Sequence, residues 1–419
     1  MLLLKSKYLL KDPYSVIDNG AVLIDDGKIK FAGRSDDINN HESYQIIDLG
    51  NSAIVPGFVN THTHLELTHL HKCINYNGDF TDWIRQLVKA RKDWSENDYL
   101  SSIRSGIKKS LESGTTTVAD ITRNGIALDE LQKSRIRKKL FYELIDFNPD
   151  SVKSTIDIFK NMTNGIGQDD LLSIGIFPHA PYTVSEELYR ECKRVSKELG
   201  ISIATHISET NDEVEFLTRG TGKFVSLLKN FNMLNNWKPP GLRPVNYLEN
   251  IGFLKNGCIL VHCNYLSEEE IDQVKESNST IVFCPRSHKY FRHNEHPFYK
   301  PECRGIINIA LGTDSLASND SLSILDEMKY IYSQHKTVKP QKIFNMGTTA
   351  GAAALNMADS IGKLKPGFDA DITVIEFQQE GVSNIYDGIF SQDSECVFTV
   401  VSGTICYDKH GVSKEATVY

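Results

Sequence analysis

Pro56-Gly-Phe-Val-Asn-Thr-His-Thr-His64 is the stretch on which the reading of this chain turns. An apolar run ends in two histidines two positions apart. In extended backbone, residues i and i+2 face the same side, so both imidazoles can reach one point. Beyond it, short apolar runs recur at Thr115–Asp120, Leu140–Asp146, Leu172–Pro178, Ile201–His206, Cys258–His262, Thr280–Cys284 and Ile306–Thr313; with Pro56–His62 they make eight. Helix-length patterns lie between them at Asp82–Trp94, Asn97–Ser113, Ser185–Leu199, Asp212–Leu228, Ser267–Ser277 and Leu322–Ser333. Strands alternating with helices imply a parallel sheet, and eight such units suit an α/β fold of the (β/α)8 barrel type. An open doubly wound sheet is the competing arrangement; it usually carries a Gly-rich first turn, and none is present.

The chain ends read differently. Ala21–Gly33 holds two short strands around Asp26-Gly27, a strong hairpin signal. After Gly362 the pattern returns to strands at Ile372–Phe377, Val397–Val401 and Thr404–Tyr407. Residues 1–55 and 363–419 are therefore expected to form one small discontinuous β-domain around a barrel at 56–362.

Composition narrows the function classes. With 40% hydrophobic and 24% charged residues, the 419-residue chain is a globular protein rather than a disordered or fibrous one. The net charge of −8 offers no general attraction to a nucleic-acid backbone, so a nucleotide-like ligand would be small. No apolar run reaches the ~18 residues of a membrane span, and the N-terminus lacks the build of a signal peptide. The eight cysteines show no close pair beyond Cys258 and Cys263, the pattern of reduced thiols in a cytoplasmic protein.

The histidine pair alone is weak evidence for a metal. The rest of the set is stronger, because His206 and His262 each close an apolar run and Asp314 follows Ile309-Ala-Leu-Gly-Thr. All fall at the strand ends that carry catalysis in barrels, and three imidazoles with a carboxylate suit a divalent ion. Asp314 could instead cap the following helix, a role that Ser315 or Asn319 could also fill. Glu209 lies three residues past His206; beside an activated water it becomes a proton carrier, and otherwise a solvated loop acid.

Pro56–His64, Pro178-His-Ala-Pro-Tyr-Thr183, His206-Ile-Ser-Glu209, His262 and Gly312-Thr-Asp-Ser-Leu-Ala-Ser-Asn319 together resemble the amidohydrolase superfamily in its nucleobase-deaminase branch. The resemblance runs over nearly the whole chain. It implies the barrel, a flanking β-sandwich and a site for one divalent ion, zinc or else iron. It makes His62, His64, His206 and Asp314 the ligands, Glu209 the proton shuttle, His262 the group that polarises the attacked ring or orients the nucleophile, and His179 a substrate contact. Catalytic roles thus fall to Glu209, His262 and Asp314. The unrelated cytidine-deaminase fold is excluded because its Pro-Cys-x-x-Cys signature is missing.

His64-Leu-Glu66, Asn77–Trp83 and Leu322–Met328 are similar to aminodeoxyfutalosine deaminases of menaquinone biosynthesis, which act at C6 of an adenine nucleoside. The alternatives are S-adenosylhomocysteine or methylthioadenosine deaminase, guanine deaminase and chlorohydrolase. All imply a small nucleoside or heterocyclic substrate and, by analogy, a homo-oligomer. Where relatives carry Ser-Asn, this chain has Cys284-Pro-Arg-Ser-His288. Arg286 would suit a substrate carboxylate or pair with a loop acid, and Ser287 would touch substrate beside it. Glu66 would bind ribose hydroxyls or a substrate amine, or else orient a ligand histidine. His293 and His296 read as loop packing, and Phe80 and Trp83 as core.

Overall fold

A computed structural model describes residues 1–38, 44–166, 169–234, 237–255, 257–299, 308–378 and 384–413. The strands are β1 (Leu2–Asp12), β2 (Ser15–Asp25), β3 (Lys28–Arg34), β4 (Gln45–Asp48), β5 (Ser52–Pro56), β6 (Phe58–Thr63), β7 (Thr115–Thr122) and β8 (Arg137–Leu144). They continue with β9 (Leu172–Pro178), β10 (Ser202–Ile207), β11 (Ile259–His262), β12 (Thr280–Phe283), β13 (Ile309–Leu311), β14 (Ile372–Glu376), β15 (Glu395–Val401) and β16 (Thr404–Asp408).

β6 through β13 pair in chain order, every pair parallel. Closure between the first and last strands is made by few groups. Thr63 bridges Asp314, and the backbone N–H groups of Thr313 and Asp314 donate to the His62 carbonyl at 3.0 and 3.1 Å. The Asn60 amide spans the same seam: Nδ2 donates to Thr313 Oγ1 at 2.8 Å, while Oδ1 accepts the Thr313 N–H at 3.2 Å. Asn60 is wholly buried, so these bonds leave its amide satisfied without water.

Side chains fill the barrel in layers. Val59, Ala119, Phe141, Phe177, Ala204, Val261 and Val282 form an apolar middle layer. The alternate positions of the same strands, such as Leu140, Tyr142 and Ile176, pack outward under the helices. The helices start and stop where their ends dictate. Ser185 caps Glu186–Leu199 by accepting the Leu188 N–H, two acids occupy the first turn, and Gly200 ends the helix at φ 66°.

The main departures from the sequence expectation are two, and a third boundary is untested. The third barrel strand starts at Arg137 rather than Leu140, because three cationic residues occupy its first positions. The helix expected over Asp212–Leu228 is two helices, Asn211–Arg219 and Lys223–Asn230, since Gly220 and Gly222 adopt φ 67° and 89° between them. Ile306 and Ile307, read into the eighth strand, lie outside the described residues.

Both chain ends enter a second, mixed sheet of eight strands, ordered β16-β15-β14-β5-β1-β2-β3, with β4 also on β1. The expected sandwich takes the form of one curled sheet around its own core of Leu4, Leu9, Val22, Ile54, Val374 and Phe398. Its curl brings the β2–β3 turn onto the β15–β16 turn, and a Cβ on Gly403 would come within 2.8 Å of the Gly27 Cα. Arg137 joins the two sheets from the barrel side. Its guanidinium donates twice to Asp371, at 2.7 and 3.1 Å, and lies 3.1 Å from Asp369.

Candidate metal centre and active site

The C-terminal ends of the barrel strands converge on buried imidazoles. β6 ends in His62 and Thr63, with His64 next; β10 supplies His206 and β11 ends in His262. Donor nitrogens of His62, His64 and His206 all lie within 4.8 Å of one another, close enough to share an ion. The Nε2 atoms of His62 and His206 are 3.2 Å apart. Burial, with neighbouring imidazoles adding, lowers His64 to about 4 and takes His206 well below its ordinary value. Both are therefore neutral at pH 7, the form that ligates metals. Asp314 Oδ1 lies 3.7 Å from Nε2 of both His62 and His64. Burial alone would raise this carboxyl, but His62, His64 and His262 outweigh it and hold it well below the usual range. Neutral nitrogens around an ionised carboxylate fit a divalent cation.

Second contacts fix these groups. Asp314 Oδ2 accepts the hydroxyls of Ser287 at 2.8 Å and Ser318 at 2.6 Å, leaving Oδ1 turned to the histidines. The helix-capping role considered for Asp314 belongs to Ser323, whose side chain accepts the Asp326 N–H. His262 holds φ at 77° and Asp314 at 58°, left-handed backbone that costs a non-glycine residue energy and gathers at functional sites. His296 supports the first of these. Its Nδ1 accepts the Phe298 N–H, so Nε2 carries the proton and donates to the His262 carbonyl at 2.8 Å.

Glu209 follows β10 in a loop pinned by Glu213, whose two carboxylate oxygens accept the N–H groups of Ser208 and Glu209 at 3.0 and 2.8 Å. Glu209 Oε1 lies 3.5 Å from His262 Nε2. Burial, reinforced by Asp314 and Glu213, pushes its carboxyl well above the ordinary value. Such a group holds a proton more readily than an exposed glutamate does, as a proton carrier must.

Above lies a cavity of about 370 Å³, lined by His64, His179, His206, Glu209, His262 and Asp314 at its base. Glu66 lines it too, between Arg91, 3.7 Å away, and the Arg123 N–H, which donates at 3.4 Å. Burial, with Glu143 adding, raises Glu66 to about 7. His179 is oriented by a 2.6 Å bond from Nδ1 to Thr183 Oγ1. Leu87, Leu227, Leu228, Phe231 and Met233 make the outer wall apolar.

The structure thus brings His62, His64, His206, Asp314, Glu209, His262, His179 and Glu66 to one place. It does not bring Arg286 there. That guanidinium lies 3.5 Å from Asp320 and 3.6 Å from Asp326, away from the cavity lining. Ser287 is buried under Asp314 rather than facing the cavity. Sequence reasoning missed Arg91, Arg123 and Glu143; Phe80 and Trp83 are core residues as expected, and they line the cavity as well. Strand ends gave a signal for Arg123, one residue past β7, and for Glu143 near the end of β8; Arg91, just past the helix Phe80–Ala90, had none.

The sequence pattern of the Amidohydrolase family matches residues 53–406. A 5'-deoxyadenosine deaminase of Methanopyrus kandleri is 29% identical over 383 residues, covering 87% of this chain and 83% of its own. A 5-methylthioadenosine/S-adenosylhomocysteine deaminase of Desulfitobacterium hafniense is 28% identical over 384 residues, 88% of this chain and 82% of its own. Among solved structures, Helicobacter pylori aminofutalosine deaminase in complex with methylthio-coformycin superposes with a TM-score of 0.82 at 20% identity, over 97% of this chain and all of that one. At that identity the likeness concerns the fold.

Proposed function

Because the chain belongs to the amidohydrolase family, we propose that it is a metal-dependent deaminase acting at C6 of an adenine-type nucleoside. One observation carries the reading: Glu209, a buried carboxyl raised well above its ordinary value, stands 3.5 Å from His262 at the base of a nucleoside-sized cavity that also holds the three-histidine cluster.

His62, His64, His206 and Asp314 would hold the ion, zinc or else iron, which when bound supplies the Lewis acidity that makes water a nucleophile near neutral pH. Glu209 takes one proton of the attacking water and gives it to the ring nitrogen, where it stays, and then carries the second, from the new C6 hydroxyl, to the departing amine, so that ammonia and the keto base leave. His262, held by its strained backbone and His296, stabilises charge developing on the attacking oxygen. His179 contacts the base and Glu66 the ribose hydroxyls. Ser287 acts through Asp314, and Arg286 stays with Asp320 and Asp326. A shuttling carboxyl favours deamination over dechlorination, which has no ammonia leaving group to protonate.

The apolar outer wall suits a small uncharged 5′ substituent, and the named relatives act on 5′-deoxyadenosine or methylthioadenosine and S-adenosylhomocysteine. That reading stands ahead of aminodeoxyfutalosine. A second reading keeps substrates with a carboxylate tail, because Arg91 lines the cavity with a buried Nε that has no hydrogen-bond partner among the described residues. The test is ammonia release by metal-analysed protein from 5′-deoxyadenosine, methylthioadenosine, S-adenosylhomocysteine, aminodeoxyfutalosine, adenosine and guanine. Preference for the first two supports the proposal. Activity confined to the tailed substrates moves it to the second reading, and no ammonia from any adenine nucleoside overturns it.

A further inference from the structure

The other end of the barrel holds a cation that the reaction does not use. Along β8, Phe141 packs inside the barrel against Phe177 and Glu143 lines the cavity, so alternation sends Lys139 inward too, one layer below. Lys139 is 6% exposed, and its ammonium donates to Ser202 Oγ at 2.9 Å. It forms no ion pair among the described residues, unlike its neighbour Lys138, which faces out and meets Asp169 at 2.7 Å. Burial is the sole influence on it, lowering the ammonium to about 8.

Hydroxyls stand on the neighbouring strands. Ser202 Oγ accepts from Lys139 and, at 3.4 Å, from Asn356 Nδ2, which fills its lone pairs and leaves its O–H to donate elsewhere. Ser173 is the register partner of Lys139 on β9, and its buried Oγ has no hydrogen-bond partner among the described residues. Thr117 stands two residues before Ala119, the partner on β7, and its buried Oγ1 also has none among them. An unpaired ammonium amid unused hydroxyl donors calls for an acceptor, and a negative one. Ser202 and Asn356 also line a groove of about 820 Å³ that opens at this end, together with Lys197 and Lys255. Ser202 thus meets both Lys139 and the groove.

We propose that Lys139, with the hydroxyls of Ser173, Ser202 and Thr117, forms a binding site for a small inorganic anion of halide size in the floor of the barrel. The site is separated from the histidines by the apolar middle layer, so it stands independently of the deaminase reading. Its role is to neutralise a charge that the fold would otherwise bury alone.

Bromide is the probe. Crystals of the whole chain soaked in sodium bromide are expected to show an anomalous peak within hydrogen-bonding distance of Lys139 Nζ. In solution the unfolding temperature should rise with bromide concentration relative to gluconate at equal ionic strength. Lys139→Met should abolish both effects. Ser173→Ala, which keeps the lysine, should weaken the solution effect severalfold and serves if the first variant fails to fold. Absence of the peak overturns the proposal, as does equal bromide stabilisation of the variants and wild type, or a crystal peak with no effect in solution.

Discussion

Glu209 is the residue on which turnover should depend most sharply. Glu209→Gln keeps the size and polarity of the side chain but removes its capacity to carry a proton. Metal content should stay at the wild-type level while kcat falls by about 10²–10⁴-fold. Retained turnover would remove the shuttle role. Ser287 makes a complementary case. As a support for Asp314, its replacement in Ser287→Ala should weaken metal affinity by about 10–100-fold and leave KM unchanged at saturating metal. A raised KM with normal metal binding would return Ser287 to the substrate. At this scale much of the site was legible, because His62, His64, His206, His262 and Asp314 each close an apolar run. Arg286 was not, because its partners Asp320 and Asp326 come from a later segment, and nothing in Cys284-Pro-Arg-Ser fixes which way its side chain turns.

Whole elements carry titrations of their own. The helix Ile324–Gln334 buries Glu327, which accepts the Arg286 N–H at 2.9 Å and the Asn319 amide at 2.8 Å. Burial outweighs those bonds and raises its carboxyl from 4.5 to about 8. The folded state therefore binds this proton where the unfolded chain has released it. Stability from this group is complete below the unfolded value and is lost as pH rises through the folded one. Glu327→Gln should flatten the decline in stability between about pH 4.5 and pH 8 that urea unfolding of the wild type shows; identical slopes would refute the assignment. The elements themselves were readable where burial and periodicity agree, as at Leu172–Pro178. The start of β8 hid because Arg137, Lys138 and Lys139 look like a loop until their separate partners are known. The break at Gly220 and Gly222 hid because an apolar period runs across it.

For the molecule as a whole, the barrel and the curled sheet share an apolar core, where Val55, Ile375 and Val401 join Phe58, Leu111 and Val118, and a buried ion cluster around Arg137. Arg137→Ala would strand Asp371, 3% exposed, with only the Ser402 N–H still bound to it among the described residues. The expected loss is about 3–5 kcal/mol in chemical denaturation. Chelation should act at the other end, abolishing activity and lowering the unfolding temperature as the histidines lose their shared ion. The curled sheet also imposes an order of events during synthesis. β5 leaves the ribosome early, yet its antiparallel partner β14 begins only at Ile372. At roughly 5–20 residues per second, an open strand edge waits tens of seconds for the chain to return. The nascent protein must survive that interval with its first sheet unfinished, so translation speed and chaperone supply should govern its yield more than the stability of the finished fold.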